Sequence, residues 1–272
     1  MTQELIKSKG DIKRIKTHVK GFDENMEGGI PERHQVLVSG TAGAMKSSFA
    51  MNVLYNNAIE GKNGLYISLE QSTTSLLNHL INMGFDFSKI NLIMLSDISR
   101  VSSVVAQIKK SKVGTVIMTD IGAIRKQVKG MKVAANQDWL NAIENIIKKV
   151  KEKAGCDIFC LDSLSALYVL SHFEHPRTRL FYIFEFLRDM DITSMLLSER
   201  PEGGTGSYSE YGVEEYLADG IILLEMTKRQ RKVMREISVV KMRESKCSSD
   251  VFTFEWTGKG FQAIHGGKTP LV

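Results

Sequence analysis

The chain has 272 residues, of which 43% are hydrophobic and 25% charged, enough apolar material to build a full core without disulfide or metal staples. Its net charge of +5 permits a polyanionic partner without demanding one. Three cysteines, an odd number, argue against a disulfide framework, and the polar opening "MTQELIKSKG" with no apolar run of spanning length argues against a membrane protein and for a cytoplasmic one.

In chain order, residues 1–18 are polar and basic and are expected to form an N-terminal arm outside the core, with a single domain over 19–272. "GFDENMEGGIP" closes in a Gly-Gly-Ile-Pro turn. "QVLVSG" (35–40) reads as a buried strand, followed by a helix from Lys46 to about residue 60. "GLYISLE" (64–70) is a second strand. Ser72 is placed to cap a helix over 72–83, whose Leu76, Leu77, Leu80 and Met83 recur at helical spacing. Strands follow at 91–97 and 115–120, an amphipathic helix at about 136–153 stopped by Gly155, a strand at 156–162, a helix at about 176–190 and a strand at 193–199. From Ala218 the pattern changes to strands without helices between them: "DGIILLEM", "REISVVKMR" and "VFTFEW". Strands apolar throughout that alternate with helices predict an α/β fold, a mostly parallel sheet covered on both faces, here with a C-terminal antiparallel extension.

Chemistry concentrates between the first buried strand and the first long helix. There "GTAGAMKSS" comes one residue short of the phosphate-loop pattern G-x-x-x-x-G-K-[ST], with Met45 where the second glycine belongs. Backbone N–H groups of Thr41, Ala42, Gly43, Ala44 and Met45 would face phosphate oxygens. Lys46 supplies a point charge, Ser47 stands at the Mg²⁺ position and Ser48 follows in the helix. Alone, such a stretch is equally a turn that binds nothing; its surroundings decide. "CDIFCLDS" ends an apolar strand in Asp162, the form taken by the carboxylate that holds Mg²⁺ through water. "YISLEQS" puts Glu70 at a strand's C-terminal end, where it could orient an attacking water. "VVKMRES" places Lys241 and Arg243 two apart, hence on one face of a strand, as a phosphate clamp.

Together, "GFDENMEGGIP", "GTAGAMKSS", "YISLEQS", "LDSLSAL", "ADGIILL" and "KMR" resemble the KaiC/RadA-paralogue family of RecA-like P-loop ATPases, over roughly residues 20–265. The resemblance implies a RecA-like core, ATP and Mg²⁺ bound between neighbouring subunits, and homo-oligomeric assembly, often as hexameric rings. It implies that Lys46 and Ser47 bind phosphate and metal, that Asp162 supports Mg²⁺, that Glu70 is the catalytic carboxylate, and that Lys241 and Arg243 reach the γ-phosphate of the adjacent subunit. The expected function is slow Mg²⁺-dependent ATP hydrolysis in a regulatory or signalling role. A DNA-binding recombinase paralogue that uses ATP as an assembly switch is the second expectation, less favoured because no DNA-binding appendage is recognisable; an autokinase or signalling scaffold is the third. The sequence departs from the pattern in four places, one of them an insertion over 91–120 that carries two strands and a short helix where a minimal member needs less. KaiC has two tandem domains and this chain one; the paired glutamates read Glu70-Gln71; and the phosphorylated Ser/Thr pair is replaced by Glu215-Tyr216 after Glu214, which argues against self-phosphorylation of that kind.

Other features have bland accounts. Cys156 and Cys160 with His172 and His175 suggest a metal site, but both cysteines fall on a core strand. The basic run 227–236 invites a DNA-contact reading, but between two strands a solvated hairpin tip is the simpler account. "RPEGGTGSYSEYG" (200–212) is either a loop facing a ring centre, where a protein partner could dock, or a long connection.

Overall fold

The apolar strands of the sequence assemble into one ten-stranded sheet in a computed structural model that describes residues 9–97, 100–108, 112–129, 138–171, 175–200, 206–229 and 231–265. In chain order the elements are β1 (Arg14–Ile15), β2 (Ile30–Pro31), β3 (Gln35–Gly40), α1 (Lys46–Ile59), β4 (Gly64–Ser68), α2 (Thr73–Asn82), β5 (Asn91–Met94), α3 (Val101–Ile108), β6 (Thr115–Asp120) and α4 (Ile121–Lys129). There follow α5 (Asp138–Ala154), β7 (Ile158–Asp162), α6 (Leu164–Ser171), α7 (Pro176–Asp189), β8 (Thr193–Glu199), α8 (Glu214–Leu217), β9 (Gly220–Arg229), β10 (Lys232–Met242), β11 (Val251–Trp256) and β12 (Phe261–His265).

The sheet order is β12-β11-β10-β9-β3-β8-β7-β4-β6-β5. From β5 through β9 every pairing is parallel, and β10, β11 and β12 add an antiparallel meander beyond β9. Because side chains alternate along a strand, each parallel strand feeds two cores at once. Val36 and Val38 of β3 join one core with α1 and the meander, while Leu37 joins the other with α5, α6 and α7. Ser72 caps α2 as its position predicts, its side chain accepting from the Ser75 N–H at 3.2 Å.

Two expectations change. Residues 1–8 of the anticipated arm lie outside the described residues, but the part from Arg14 onward is not outside the core. Ile15, Thr17 and Val19 are all buried, at 1%, 0% and 1% exposure, and β1 pairs with β2. The period-two alternation of "IKTHVK" is a strand-like pattern that the surrounding lysines conceal. The second change is an addition: α4 and α6 have no counterpart in the elements expected from the sequence, and in α6 "LSALYVLS" is apolar on every side and carries no amphipathic signal.

Candidate functional site

The chain leaves β3 at Gly40 and re-enters regular structure at Lys46, the first residue of α1. Gly40 is needed for close approach: a Cβ there would stand 2.0 Å from the Leu224 carbonyl oxygen on β9. Two loop residues are left-handed, Gly43 at φ 78° and Met45 at φ 70°, ψ 29°. The missing second glycine thus falls where glycine has its advantage, and methionine occupies the same conformation at a cost on the order of 1 kcal/mol.

Lys46 is buried, and its Nζ folds back into the loop. It donates to the carbonyls of Gly40 (2.9 Å) and Thr41 (3.0 Å) and pairs with Glu199 Oε1 at 3.2 Å. Thr41 Oγ1 is buried with no hydrogen-bond partner among the described residues, in a loop whose Ala42 and Gly43 are exposed. A hydroxyl so placed is one that an anionic ligand would satisfy. Ala44 is packed into the core, while Ser48 Oγ lies 3.3 Å from His79 Nε2 on α2. Arg235, from β10, donates its Nε to the Gly43 carbonyl at 3.1 Å.

Beside the loop, β7 ends in Asp162, 2% exposed. The Tyr66 hydroxyl donates to its Oδ2, and Ser47 lies beside both groups. Burial pushes the Asp162 carboxyl above its usual range, hydrogen bonds from Tyr66 and Ser47 oppose that shift, and the charge of Glu70 adds to it. Glu70 itself is exposed, just past β4, and accepts from the Ser163 hydroxyl. The Asp162–Ser163 peptide is cis. Lys46, Ser47, Glu70, Asp162 and Glu199 therefore gather at the C-terminal ends of neighbouring parallel strands, the edge where α/β proteins bind ligands. The Ser47 hydroxyl and Asp162 carboxylate are hard oxygen donors of the kind Mg²⁺ takes together with phosphate oxygens. Among the described residues no three His, Cys, Asp or Glu side chains cluster as a metal cage of their own.

Lys241 and Arg243 are not in this gathering. Lys241 is opposite Ile221 and Met242 opposite Gly220, at the start of β9, whereas Gly40 of the loop is level with Leu224. Both side chains instead fasten α8: Lys241 Nζ donates to the carbonyls of Glu215 (2.9 Å) and Ala218 (2.7 Å), and Arg243 pairs with Asp219 at 2.7 Å. Burial, then the Arg243 charge, lowers the Lys241 pKa.

Over residues 15–267 the chain matches the family model described as the KaiC ATPase. The chain belongs to the KaiC family of ATPases. Among relatives of this KaiC-family chain, a UPF0273 protein of Saccharolobus solfataricus is 30% identical, the alignment covering 87% of this chain and 78% of that one. A UPF0273 protein of Aeropyrum pernix is 28% identical, with 92% of each covered. The circadian clock protein KaiC3 of Synechocystis is 26% identical over 89% of this chain but only 44% of its own length, so the chain spans less than half of that relative. Among solved structures, a KaiC-like protein from the hyperthermophilic archaeon Pyrococcus horikoshii superposes with a TM-score of 0.69 at 25% identity, covering 93% of this chain and 99% of that one.

Tyr66 and Arg235 escape a reading by motif. Tyr66 is hidden among core residues of an apolar strand, and Arg235 sits in a basic run that looks like a solvated turn. The cysteine–histidine reading finds no support among the described residues. Cys156 and Cys160 lie in the core, with burial pushing the Cys156 thiol up to about 12; His172 is outside the described residues. No helix among the described residues is long and apolar enough to cross a membrane.

Proposed function

We propose that the chain binds ATP with Mg²⁺ and hydrolyses it slowly, at sites completed by a second copy of itself, in a regulatory role. The observation that carries this reading is the convergence of Lys46, Ser47, Asp162 and Glu70 around one loop at one sheet edge. Loop amides and the N-terminus of α1 bind the phosphates, and Lys46 exchanges Glu199 and the two loop carbonyls for phosphate oxygens. Ser47 and Asp162 would hold Mg²⁺, which when bound neutralises charge on the phosphates. Glu70, exposed and held from one side by Ser163, orients the attacking water and takes its proton. Lys241 and Arg243 serve the site of a neighbouring copy, where they stabilise charge developing on the transferred phosphoryl group.

Lys46→Ala should abolish binding of a fluorescent ATP analogue, whereas Glu70→Gln should keep it and lower kcat by about 10²-fold or more. If the wild type shows no binding at millimolar ATP with Mg²⁺, the reading fails. If Glu70→Gln hydrolyses normally, the base lies elsewhere, and Glu199 is the next residue to test.

A further inference from the structure

A tyrosine in the middle of an apolar core strand needs a reason for its hydroxyl. Tyr66 is completely buried and shares the core cluster with Met118, Cys160 and Met51. Phenylalanine would fill that space without a polar atom to satisfy, and a buried phenol is unfavourable unless its O–H finds an acceptor. Tyr66 finds Asp162 Oδ2, on the neighbouring strand β7, and Ser47, on the first turn of α1, lies beside the pair. One hydroxyl therefore binds one of the two residues that the proposed function assigns to the metal and neighbours the other.

We propose that Tyr66 is a positioning residue for the metal site: its hydroxyl fixes the Asp162 carboxylate in one orientation, so that the oxygen not bound by Tyr66 is presented to Ser47 and to a water on the divalent cation. The inference rests on the ATP-and-Mg²⁺ reading above. A carboxylate has two oxygens and about four lone-pair sites, and without an outer partner it can rotate about its Cβ–Cγ bond. A donor on Oδ2 removes that freedom. The donor is permanent, since a phenol carries its proton at neutral pH and this one has Asp162 Oδ2 as its acceptor. The serine differs, because its hydroxyl can donate to Asp162 and still offer a lone pair to a cation. Outer partners of this kind typically govern metal affinity by 10- to 100-fold.

The test is Mn²⁺ titration, read by electron paramagnetic resonance, of protein loaded with the non-hydrolysable analogue AMP-PNP. Tyr66→Phe should weaken Mn²⁺ binding about tenfold or more. Binding of a fluorescent ATP analogue in EDTA should change by less than about twofold, a split that general damage to the fold would not produce. On an Asp162→Asn background the same substitution should cost nothing further, because its route to the metal has been removed. The double variant has no buried carboxylate left without its donor, so this comparison stands even if Tyr66→Phe alone does not fold. Unchanged Mn²⁺ affinity in Tyr66→Phe, or an additional loss on the Asp162→Asn background, overturns the assignment. A wild type that binds no nucleotide overturns the proposed function instead, so the two failures are distinguishable.

Discussion

Met45 shows how a single residue can be tolerated where glycine is customary. Its backbone is left-handed, which costs on the order of 1 kcal/mol, but its side chain is half-buried and packs against the core, which returns an amount of similar size. Met45→Gly should therefore leave stability within about 1 kcal/mol of wild type and ATP affinity within about tenfold, roughly 1.4 kcal/mol. Met45→Val adds a branched Cβ to the same dihedral angles and should lose about 1–2 kcal/mol in urea denaturation; an unchanged midpoint would mean that the loop relaxes out of the left-handed region. His18 gives a residue-scale prediction in pH. Burial lowers its pKa below 6.5, with Lys16 adding slightly, against the raising effects of Glu60, 3.7 Å away, and of Asp23. A histidine depressed in the folded state contributes stability that is present above its unfolded pKa and lost as pH falls through the folded one. Melting temperature should drop on acidification below about 6.5, and His18→Gln should flatten that slope; an equal slope in the variant would assign it to other groups.

Among the elements, the four-residue helix α8 is held by more polar contacts than its length suggests. Glu214 is fully buried and accepts from the hydroxyls of Tyr168 (2.8 Å) and Ser209 (3.1 Å). Glu215 accepts from the Tyr208 N–H (2.6 Å) and the Ser207 hydroxyl (3.0 Å). Arg200, next to the Glu199 that pairs with Lys46, donates to the Ser207 carbonyl, so the same segment borders the nucleotide loop on one side and Lys241 on the other. Glu214→Ala removes a buried acceptor and should cost about 3 kcal/mol, with faster hydrogen exchange concentrated in 206–217; a surface-like loss under about 0.5 kcal/mol would show that water replaces the carboxylate. None of this was legible in "SYSEYGVEEYLAD", because two adjacent acids read as a solvated face and only tertiary contacts reveal that one is buried. The strands were legible for the opposite reason. Runs such as 35–40, 115–120, 193–199 and 251–256 are apolar, short and bounded, and they appear with the ends expected. The loop and its acids were legible because strand-end position and residue type are local facts; the Tyr66–Asp162 contact was not, because it joins residues on separate strands.

At the scale of the whole molecule, the placement of Lys241 and Arg243 decides what kind of machine the proposed function requires. They stand at the start of β9 and the end of β10, whereas the phosphate loop of their own chain leaves β3 level with the middle of β9, and they are fastened to α8 and Asp219. Engaged there with α8 and Asp219 and not with their own loop, they serve a nucleotide under the proposed function if another copy brings its loop to them. Hydrolysis should then rise more steeply than linearly with protein concentration, and ATP should promote assembly. Mixing tests this directly. Lys46→Ala keeps the clamp and loses the loop; Arg243→Ala keeps the loop and loses part of the clamp. Each variant alone should be nearly inactive, and a mixture should recover a fraction of wild-type activity, because some interfaces then unite an intact loop with an intact clamp. An arginine supplied across a boundary can be worth about 10³-fold or more in rate, so even a small fraction of repaired interfaces rises clear of background. The Arg243–Asp219 pair complicates a bare loss-of-activity result, since breaking it could loosen α8. Arg243→Lys separates the two roles: it keeps a cation for Asp219 but not the planar fork suited to phosphate, and should remain folded while losing most activity. No recovery in mixtures proven to exchange subunits would place Lys241 and Arg243 outside the site.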